Sequence, residues 1–289
     1  MPQKKVLVFG ASGMLGSSVV SALAQIPEVV ATPLSSRNCD ITNPDAVDAT
    51  VTNAAPDVII NCAAYTAVDA AEDDASAANA LNHLAPLYIA RAANKVNALL
   101  IHVSTDYVFD GTASSPYSEN AQTAPLGIYG KTKLLGEQAI AATATRYAII
   151  RTQWLYAPHG KNFFLTMLRL FNSRPTISVV SDQIGSPTFT PDLADAIVKV
   201  ALSFQQGQSG IYHFANSGSC SWYDFAISIA ALANTSCQIS PIPSSQYPTR
   251  ATRPHFSVLD TSKLASAFNI SIPHWRDALN RCFKALPNA

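Results

Sequence analysis

Two side chains four positions apart, in Tyr129-Gly130-Lys131-Thr132-Lys133, could carry proton-transfer chemistry. Residues i and i+4 of a helix share one face, so the Tyr129 phenol and the Lys133 ammonium would project together. A free tyrosine titrates near about 10, and an ammonium within about 4–6 Å favours the phenolate and lowers that value. The expected product of the pairing is a proton donor to a forming alkoxide near neutral pH. Lys131 sits two positions from Tyr129, points elsewhere and reads as surface charge. A third group lies upstream in Ser104-Thr105-Asp106-Tyr107, directly after the apolar run Leu99-Leu100-Ile101-His102-Val103. The Thr105 hydroxyl, at the carboxyl end of a strand, could hydrogen-bond a carbonyl oxygen and hold it for reduction.

Reduction needs a hydride source, and the N-terminus offers a place for one. Gly10-Ala11-Ser12-Gly13-Met14-Leu15-Gly16 follows the apolar run Val6-Leu7-Val8-Phe9 and opens a helical pattern. Glycines there allow a tight turn and close approach of the backbone to a pyrophosphate, which the helix N-terminus meets electrostatically. At the end of the second strand an NAD site ordinarily has a carboxylate for the ribose hydroxyls. Here the chain reads Ser35-Ser36-Arg37-Asn38, with no carboxylate until Asp40. Hydroxyls and a guanidinium suit a ribose 2′-phosphate, so the expected cofactor is NADPH, with NADH as the alternative.

The elements that must position these groups alternate in type. Apolar runs at 6–9, 28–34, 57–61, 99–103 and 147–152 read as strands. Helical spacing follows Gly13, starts again at Asn43-Pro44 with an N-cap and a proline at the first helical position, fills an alanine-rich stretch over 73–95, and returns from Tyr129 to Thr143. A Pro/Ser/Gly-rich loop covers 111–128. Alternating strands and helices imply an α/β fold, a doubly wound parallel sheet of Rossmann type. Beyond Trp154 the rhythm loosens. Thr190-Pro191 and Ser221-Trp222-Tyr223-Asp224 look like helix starts, the second close to a capping box. Prolines at 241, 243, 248 and 254 predict an extended, loop-rich region, and 275–286 has the spacing of a terminal helix that docks one face. The clearest boundary lies at 152–156. A cofactor domain of residues 1–153 is expected, with a smaller α/β domain over 154–289, parts of 176–205 returning to the first.

Composition narrows the function classes. The 289 residues carry zero formal net charge, and no Lys/Arg run exceeds two, so nothing builds the basic face of a nucleic-acid or acidic-membrane binder. The five cysteines (Cys39, Cys62, Cys220, Cys237, Cys282) are odd in number and contain no C-x-x-C, as expected of free thiols in a reducing compartment. With no signal segment and no apolar run of membrane-spanning length, a soluble cytoplasmic protein is expected. The histidines lack metal-ligand spacing, and His102, inside an apolar strand, reads as a packed core histidine.

Together the residues carry a family resemblance. Gly10-x-x-Gly13-x-x-Gly16, Asn61-Cys62-Ala63-Ala64, Ser104-Thr105-Asp106-Tyr107-Val108-Phe109-Asp110-Gly111 and Tyr129-x-x-x-Lys133 resemble the extended short-chain dehydrogenases/reductases. Within them, segments 62–69, 125–133, 151–156, 182–188 and Arg253-Pro254 are similar to the dTDP-4-dehydrorhamnose reductases, over nearly the whole chain. That resemblance implies a Rossmann domain with a smaller sugar-nucleotide domain. It also implies hydride transfer from NADPH to the 4-keto carbon of dTDP-4-dehydro-L-rhamnose, giving dTDP-L-rhamnose. It assigns Thr105, Tyr129 and Lys133 to catalysis. Cofactor contacts are implied at Gly10, Ser12, Gly13, Met14, Leu15, Gly16, Arg37, Asp40, Ile41, Ala63, Ala64, Tyr65, Tyr129 and Lys133. Substrate contacts are implied at Thr105, Asp106, Tyr107, Tyr129, Trp154 and Arg253. Judged from the residues alone, Tyr65 reads equally as packing, and Arg253 as a structural salt bridge.

Some members of this family are metal-linked dimers through glutamates on the first helix and near the helix starting at Thr190-Pro191. Leu15 to Val20 contains no carboxylate, and only Asp192 and Asp195 stand downstream, so no metal site is expected and the chain should be a monomer or weak homodimer. Two rivals share the scaffold. A dehydratase would need a carboxylate base after Thr105-Asp106, where Tyr107 stands instead; that leaves other nucleotide-sugar 4-ketoreductases and epimerases. The other rival is a non-catalytic protein similar to the regulatory subunit of methionine adenosyltransferase, against which the complete Thr105/Tyr129/Lys133 set argues.

Overall fold

A computed structural model describes residues 3–286. Its first half is built by runs of β-branched and leucine residues too apolar to face water on either side. β1 (Lys4–Phe9), α1 (Met14–Leu23), β2 (Val29–Leu34), α2 (Pro44–Ala54) and β3 (Val58–Asn61) follow in alternation. All four residues of β3 are buried, as expected of a strand covered on both faces. Along β1 the side chains alternate: Val6 and Val8 enter one core with Leu15, Val19 and Leu23 of α1. Leu7 and Phe9 enter the other with Val47 and Val51 of α2. The Asn43 side chain accepts the Asp45 and Ala46 amides at 3.0 and 3.2 Å, the N-cap that the Asn-Pro pair predicts.

The alanine-rich stretch is not one helix. After the short α3 (Val68–Ala71) come α4 (Ala75–Asn79), a π-helical turn over Ala80–Leu84 and α5 (Ala85–Lys95). Pro86 explains the break. It has no N–H to give the Asn82 carbonyl, and the Ala85 amide instead reaches back five residues to the Ala80 carbonyl. Such bulges recur at functional sites, and this one turns Asn82 toward the loop after β3.

β4 (Leu99–Thr105) extends two residues beyond the apolar run, so Thr105 is its last residue rather than the first of the loop. α6 (Ile128–Thr143) and β5 (Tyr147–Thr152) complete the first half. The chain then gives β6 (Leu155–Tyr156), α7 (Phe163–Ser173), β7 (Thr176–Val180), β8 (Ile184–Gly185), β9 (Thr188–Phe189), α8 (Thr190–Ser203) and β10 (Gly210–His213). After them come β11 (Cys220–Ser221), α9 (Trp222–Ala233), β12 (Gln238–Ile242), α10 (Ser262–Phe268) and α11 (Trp275–Lys284). α9 starts with a complete Ser221/Asp224 capping box.

The main sheet has the order β2-β1-β3-β4-β5-β10, every pairing parallel. β10, at 210–213, lies outside the 176–205 stretch expected to rejoin the first half; its apolar Ile211 and Tyr212 cover the open edge of β5. α8 supplies Leu193, Ala194, Ile197, Val200 and Ala201 to the same core as α1. The second half has its own core, with Tyr156, Phe164, Met167, Phe171, Phe225, Ile229 and Trp275. All five cysteines are free thiols. Among the described residues no helix is long and apolar enough to cross a membrane. Strand order reverses between β1 and β3, and open α/β sheets bind ligands at that crevice, beyond the carboxyl ends of the strands.

Candidate active site

The glycine loop sits at the reversal. Gly10 has φ +73°, and a Cβ on it would lie 2.6 Å from the Ala63 amide nitrogen, so the turns after β1 and β3 touch through backbone. Gly16 is closed to any side chain because a Cβ there would meet the Gly10 carbonyl oxygen, drawing α1 hard against the loop. Gly13 is the N-cap of α1; no side chain caps it and the first turn carries no acid. Uncapped amides at a helix start with glycine on the approach path are what a pyrophosphate requires, so the residues present fit a dinucleotide. Ser12 is exposed and Leu15 buried. Met14 meets the second half of the chain through Asn162, whose Nδ2 is 3.4 Å from its sulfur.

β4 and α6 carry the groups expected to react. Thr105 ends β4 opposite Thr152 of β5; its hydroxyl donates to Asp106 Oδ1 at 3.0 Å and accepts the Tyr107 amide at 3.2 Å. Tyr129 is the second residue of α6, whose Ile128 amide donates to Glu72 Oε1 at 2.8 Å. At Gly130 the helix comes so close to the Tyr107 carbonyl that a Cβ could not fit. The Tyr107 and Tyr129 rings meet edge to face, centroids 5.5 Å apart. Lys133, one turn on, is 1 % exposed. Its ammonium position is fixed by the Val103 carbonyl at 2.7 Å and His102 Nε2 at 3.2 Å.

That anchoring corrects the expectation for Tyr129. Its phenol is not lowered; burial pushes it up to about 12, the Thr105 hydroxyl pulling down and the Asp106 carboxylate pushing up. Shared helical face is necessary but not sufficient: a buried lysine must satisfy its donors, and the nearest strong acceptor is on β4. Burial likewise brings Lys133 down to about 8, with Glu137 and Cys62 acting in the opposite sense. In the ligand-free protein Tyr129 is therefore a neutral phenol at pH 7. Tyr107 is raised further, first by burial and then by Asp106, which removes it as a base.

Of the expected substrate residues, Asp106 is 2 % exposed and its Oδ2 is without a partner among the described residues. Burial raises its carboxyl to about 6 against the pull of its hydrogen bonds. Trp154 holds a left-handed backbone, φ +47°, and its ring stacks on Trp222 at 3.5 Å and 9°. Gly185 leaves room for that ring, since a Cβ would lie 2.6 Å from it. Arg253 makes the structural salt bridge that was its alternative reading, Nη2 to Asp69 Oδ2 at 3.0 Å, while its Nε is buried without a partner among the described residues.

The remaining expected cofactor residues divide. Ala63, Ala64 and Tyr65 follow β3 beside the glycine loop, and Arg37 is exposed beyond β2. Asp40 Oδ1 is taken by the Thr42 amide and hydroxyl, and Ile41 packs in the core with Leu7 and Phe9. Sequence reasoning missed several groups that hold the site. Asn82 accepts the Tyr65 amide at 2.8 Å, donates to the Tyr65 carbonyl at 3.1 Å and to Thr132 of α6 at 3.2 Å. Glu137 of α6 binds Arg151 of β5 and accepts the Ser104 hydroxyl, all three buried. Glu137 was findable: with Tyr129 and Lys133 it continues the four-residue step of one helical face. Asn82 gave no such signal, because its role depends on the π turn.

Comparison with known proteins agrees with this geometry. The family described as RmlD substrate binding domain matches residues 4–288. A dTDP-4-dehydrorhamnose reductase of Burkholderia thailandensis is 42% identical, covering 98% of this chain and 99% of its own. That of Escherichia coli K12 is 39% identical, covering 97% of each. The crystal structure of dTDP-4-dehydrorhamnose reductase from Bacillus anthracis in complex with NADP superposes with a TM-score of 0.93 at 38% identity, covering 98% of this chain and 99% of that one. By sequence along its length and by fold, the chain belongs to the dTDP-4-dehydrorhamnose reductase family.

Proposed function

We propose that this protein reduces the 4-keto group of dTDP-4-dehydro-L-rhamnose with NADPH, giving dTDP-L-rhamnose. The observation that carries the reading is the convergence of Thr105, Tyr129 and Lys133 at the ends of β4 and α6, beside an uncapped glycine loop, in a chain similar end to end to reductases of that name. NADPH supplies the hydride. Gly10, Gly13 and Gly16 would admit its pyrophosphate, and Arg37, which makes no salt bridge among the described residues, supports a 2′-phosphate.

The chain's own residues handle the oxygen and its proton. Thr105 donates a hydrogen bond to the ketone oxygen, and Tyr129 gives its proton as the oxygen becomes an alkoxide. A phenol near 12 is still more acidic than a sugar alcohol, so the transfer runs toward product. Lys133 lies one helical turn away, where an ammonium would stabilise the phenolate left behind. Asp106, Tyr107 and the Trp154 ring would line the sugar pocket, and Arg253 is aligned by Asp69 for the nucleotide part. The reading includes a monomer or weak homodimer, which a stable dimer in sedimentation velocity would refute.

The test supplies the 4-keto-sugar nucleotide with NADPH or NADH, follows nicotinamide absorbance and identifies the sugar. Faster oxidation of NADPH and a rhamnose product are expected; no oxidation, or a 6-deoxytalose product, rejects the assignment. Tyr129→Phe should lower kcat by about a hundred- to ten-thousand-fold with NADPH affinity nearly unchanged, and near-normal turnover would remove Tyr129 as the proton donor.

A further inference from the structure

Trp154 holds a shape that nothing local favours. Its backbone is left-handed, φ +47°, a region in which Cβ crowds the following carbonyl oxygen, and such residues persist only where their surroundings over-determine them. Those surroundings belong to the second half of the chain. The Trp154 carbonyl accepts the Thr188 amide at 3.1 Å, and Gly185 of β8 clears space for the ring, a Cβ there falling 2.6 Å from Cε2. The ring itself lies on Trp222, centroids 3.5 Å and planes 9° apart. One ladder sets both contacts. β11 pairs antiparallel with β8, Cys220 opposite Gly185 and Ser221 opposite Ile184. Trp222 is the next residue, the first of α9, and the Ser221/Asp224 capping box fixes the start of that helix. Behind Trp222 the column continues. Phe163 of α7 meets it at 4.6 Å and stacks on Phe225 at 5.7 Å, and Phe225 meets Trp275 edge to face at 5.9 Å. Phe225 and Trp275 are fully buried, whereas Trp154 and Trp222 are half-buried. A row of aromatic rings therefore runs out of the second core and ends on Trp154.

We propose that Trp222 is a positioning residue: it fixes the Trp154 ring as a preorganised platform for the hexose of the nucleotide sugar. The proposal rests on the reductase reading, which puts Trp154 in the sugar pocket. An indole free to turn must be immobilised when a ligand arrives, and that ordering is subtracted from binding affinity. A ring stacked on Trp222 and seated against Gly185 has already lost the freedom during folding. Trp222 covers one face of the indole, so the hexose meets what remains of it, and meets it in one orientation. A sugar whose hydroxyls are placed differently finds the same fixed surface, so the stack contributes to the choice of sugar as well as to affinity. Trp222 acts through Trp154 and needs no contact with the ligand. The glycine loop that receives the cofactor lies in the first half of the chain, outside the reach of this column.

The experiment titrates the full chain by calorimetry, with NADPH present, against dTDP and against dTDP-L-rhamnose. The ratio of the two affinities is what the hexose contributes. In Trp222→Leu that ratio should shrink about three- to tenfold, the cost of ordering one large side chain, while dTDP and NADPH bind as in wild type. Trp222→Phe keeps an aromatic face and should restore most of the ratio. A merely structural role would weaken all three ligands together, or move unfolding alone. Fluorotryptophan ¹⁹F spectra report the stack directly, with Trp154 assigned by its absence in Trp154→Phe. Its line should be displaced by the Trp222 ring current in wild type and return toward the free position in Trp222→Leu. An unchanged ratio in folded Trp222→Leu overturns the proposal, as does a wild-type Trp154 line at the free position. Should Trp222→Leu fail to fold, Gly185→Ala tests the same ring from its other contact. There the added Cβ displaces Trp154 while Trp222 remains, the same selective loss is expected, and an unchanged ratio overturns the proposal equally. Wild-type protein that binds dTDP and gains nothing from the rhamnose removes Trp154 from the sugar pocket and the proposal with it. Wild-type protein that binds neither ligand overturns the reductase reading itself.

Discussion

Replacing Arg151 by methionine probes the pair that clamps α6 to the sheet. Arg151 and Glu137 are each 2 % exposed, joined by Nε–Oε1 at 2.9 Å and Nη2–Oε2 at 2.6 Å, and the guanidinium lies 5.1 Å from the Phe109 ring centroid. Removing one member of a buried pair strands the other charge and costs about 3–5 kcal/mol; the lost contact with Phe109 adds about 0.5–2 kcal/mol. Against this, Arg151 Nη1 is buried without a partner among the described residues, a defect of about 1–3 kcal/mol that methionine relieves. The net is a loss of about 2–4 kcal/mol, a large share of the roughly 5–15 kcal/mol that holds a folded protein. Denaturant unfolding at neutral pH should show it directly, and a scanning experiment should show Tm lower by about 4–12 °C. Adding Glu137→Leu removes the stranded carboxylate and should recover most of the loss, since buried pairs exchanged whole for apolar residues are often neutral. A single variant within about 0.5 kcal/mol of wild type, or a double variant no better than the single, would refute the assignment of this pair as a clamp.

Gly16→Ala sets a Cβ against the Gly10 carbonyl oxygen, carbonyl carbon and the Ala11 Cα, all backbone; α1 must retreat, and NADPH affinity measured by calorimetry should fall at least about tenfold, whereas unchanged affinity would show that the loop is not the pyrophosphate site. Asp106→Asn tests the buried carboxyl. Its folded-state value of about 6 stands above its ordinary 3.8, so the ionised form costs stability that is absent below about pH 4 and complete above about pH 6, up to about 3 kcal/mol. The variant should gain about 1–3 kcal/mol over wild type at about pH 8 and nothing at about pH 4, and equal gains at both pH values would refute the burial argument.

The first half of the fold was legible because its signals are local. Short apolar runs gave β1, β3 and β4, and Asn43-Pro44 and Ser221/Asp224 gave their helix starts through hydrogen bonds spanning three residues. Non-local pairing was not legible: β10 covers the edge of β5 from about sixty positions away, and no local pattern says which strand a four-residue apolar run will join. The same divide runs through the site. Spacing singled out Tyr129 and Lys133 as candidates, and strand-end position singled out Thr105. Spacing could not say where a long flexible side chain ends. Lys133 turns to Val103 and His102 because those acceptors are on another element, and the Trp154–Trp222 stack joins positions 68 residues apart.

Burial also gives the site a chemical direction. It raises the Tyr129 phenol to about 12 and lowers Lys133 to about 8, in each case because the uncharged form is easier to keep away from water. For alcohol oxidation that environment is adverse: the base would be a phenolate, and at neutral pH almost none exists. For ketone reduction it is favourable. On the proposed reading the phenol keeps its proton until an alkoxide, much the stronger base, develops within reach. The phenolate then formed would lie one helical turn from Lys133, which at about 8 is already mostly an ammonium at neutral pH and would stabilise it. A Lys133 ammonium aimed at Tyr129 rather than at β4 would lower the phenol in advance and weaken this asymmetry. On the proposed reading, the anchoring of Lys133 on β4, a departure from the expected pair, favours proton donation in the reductive direction.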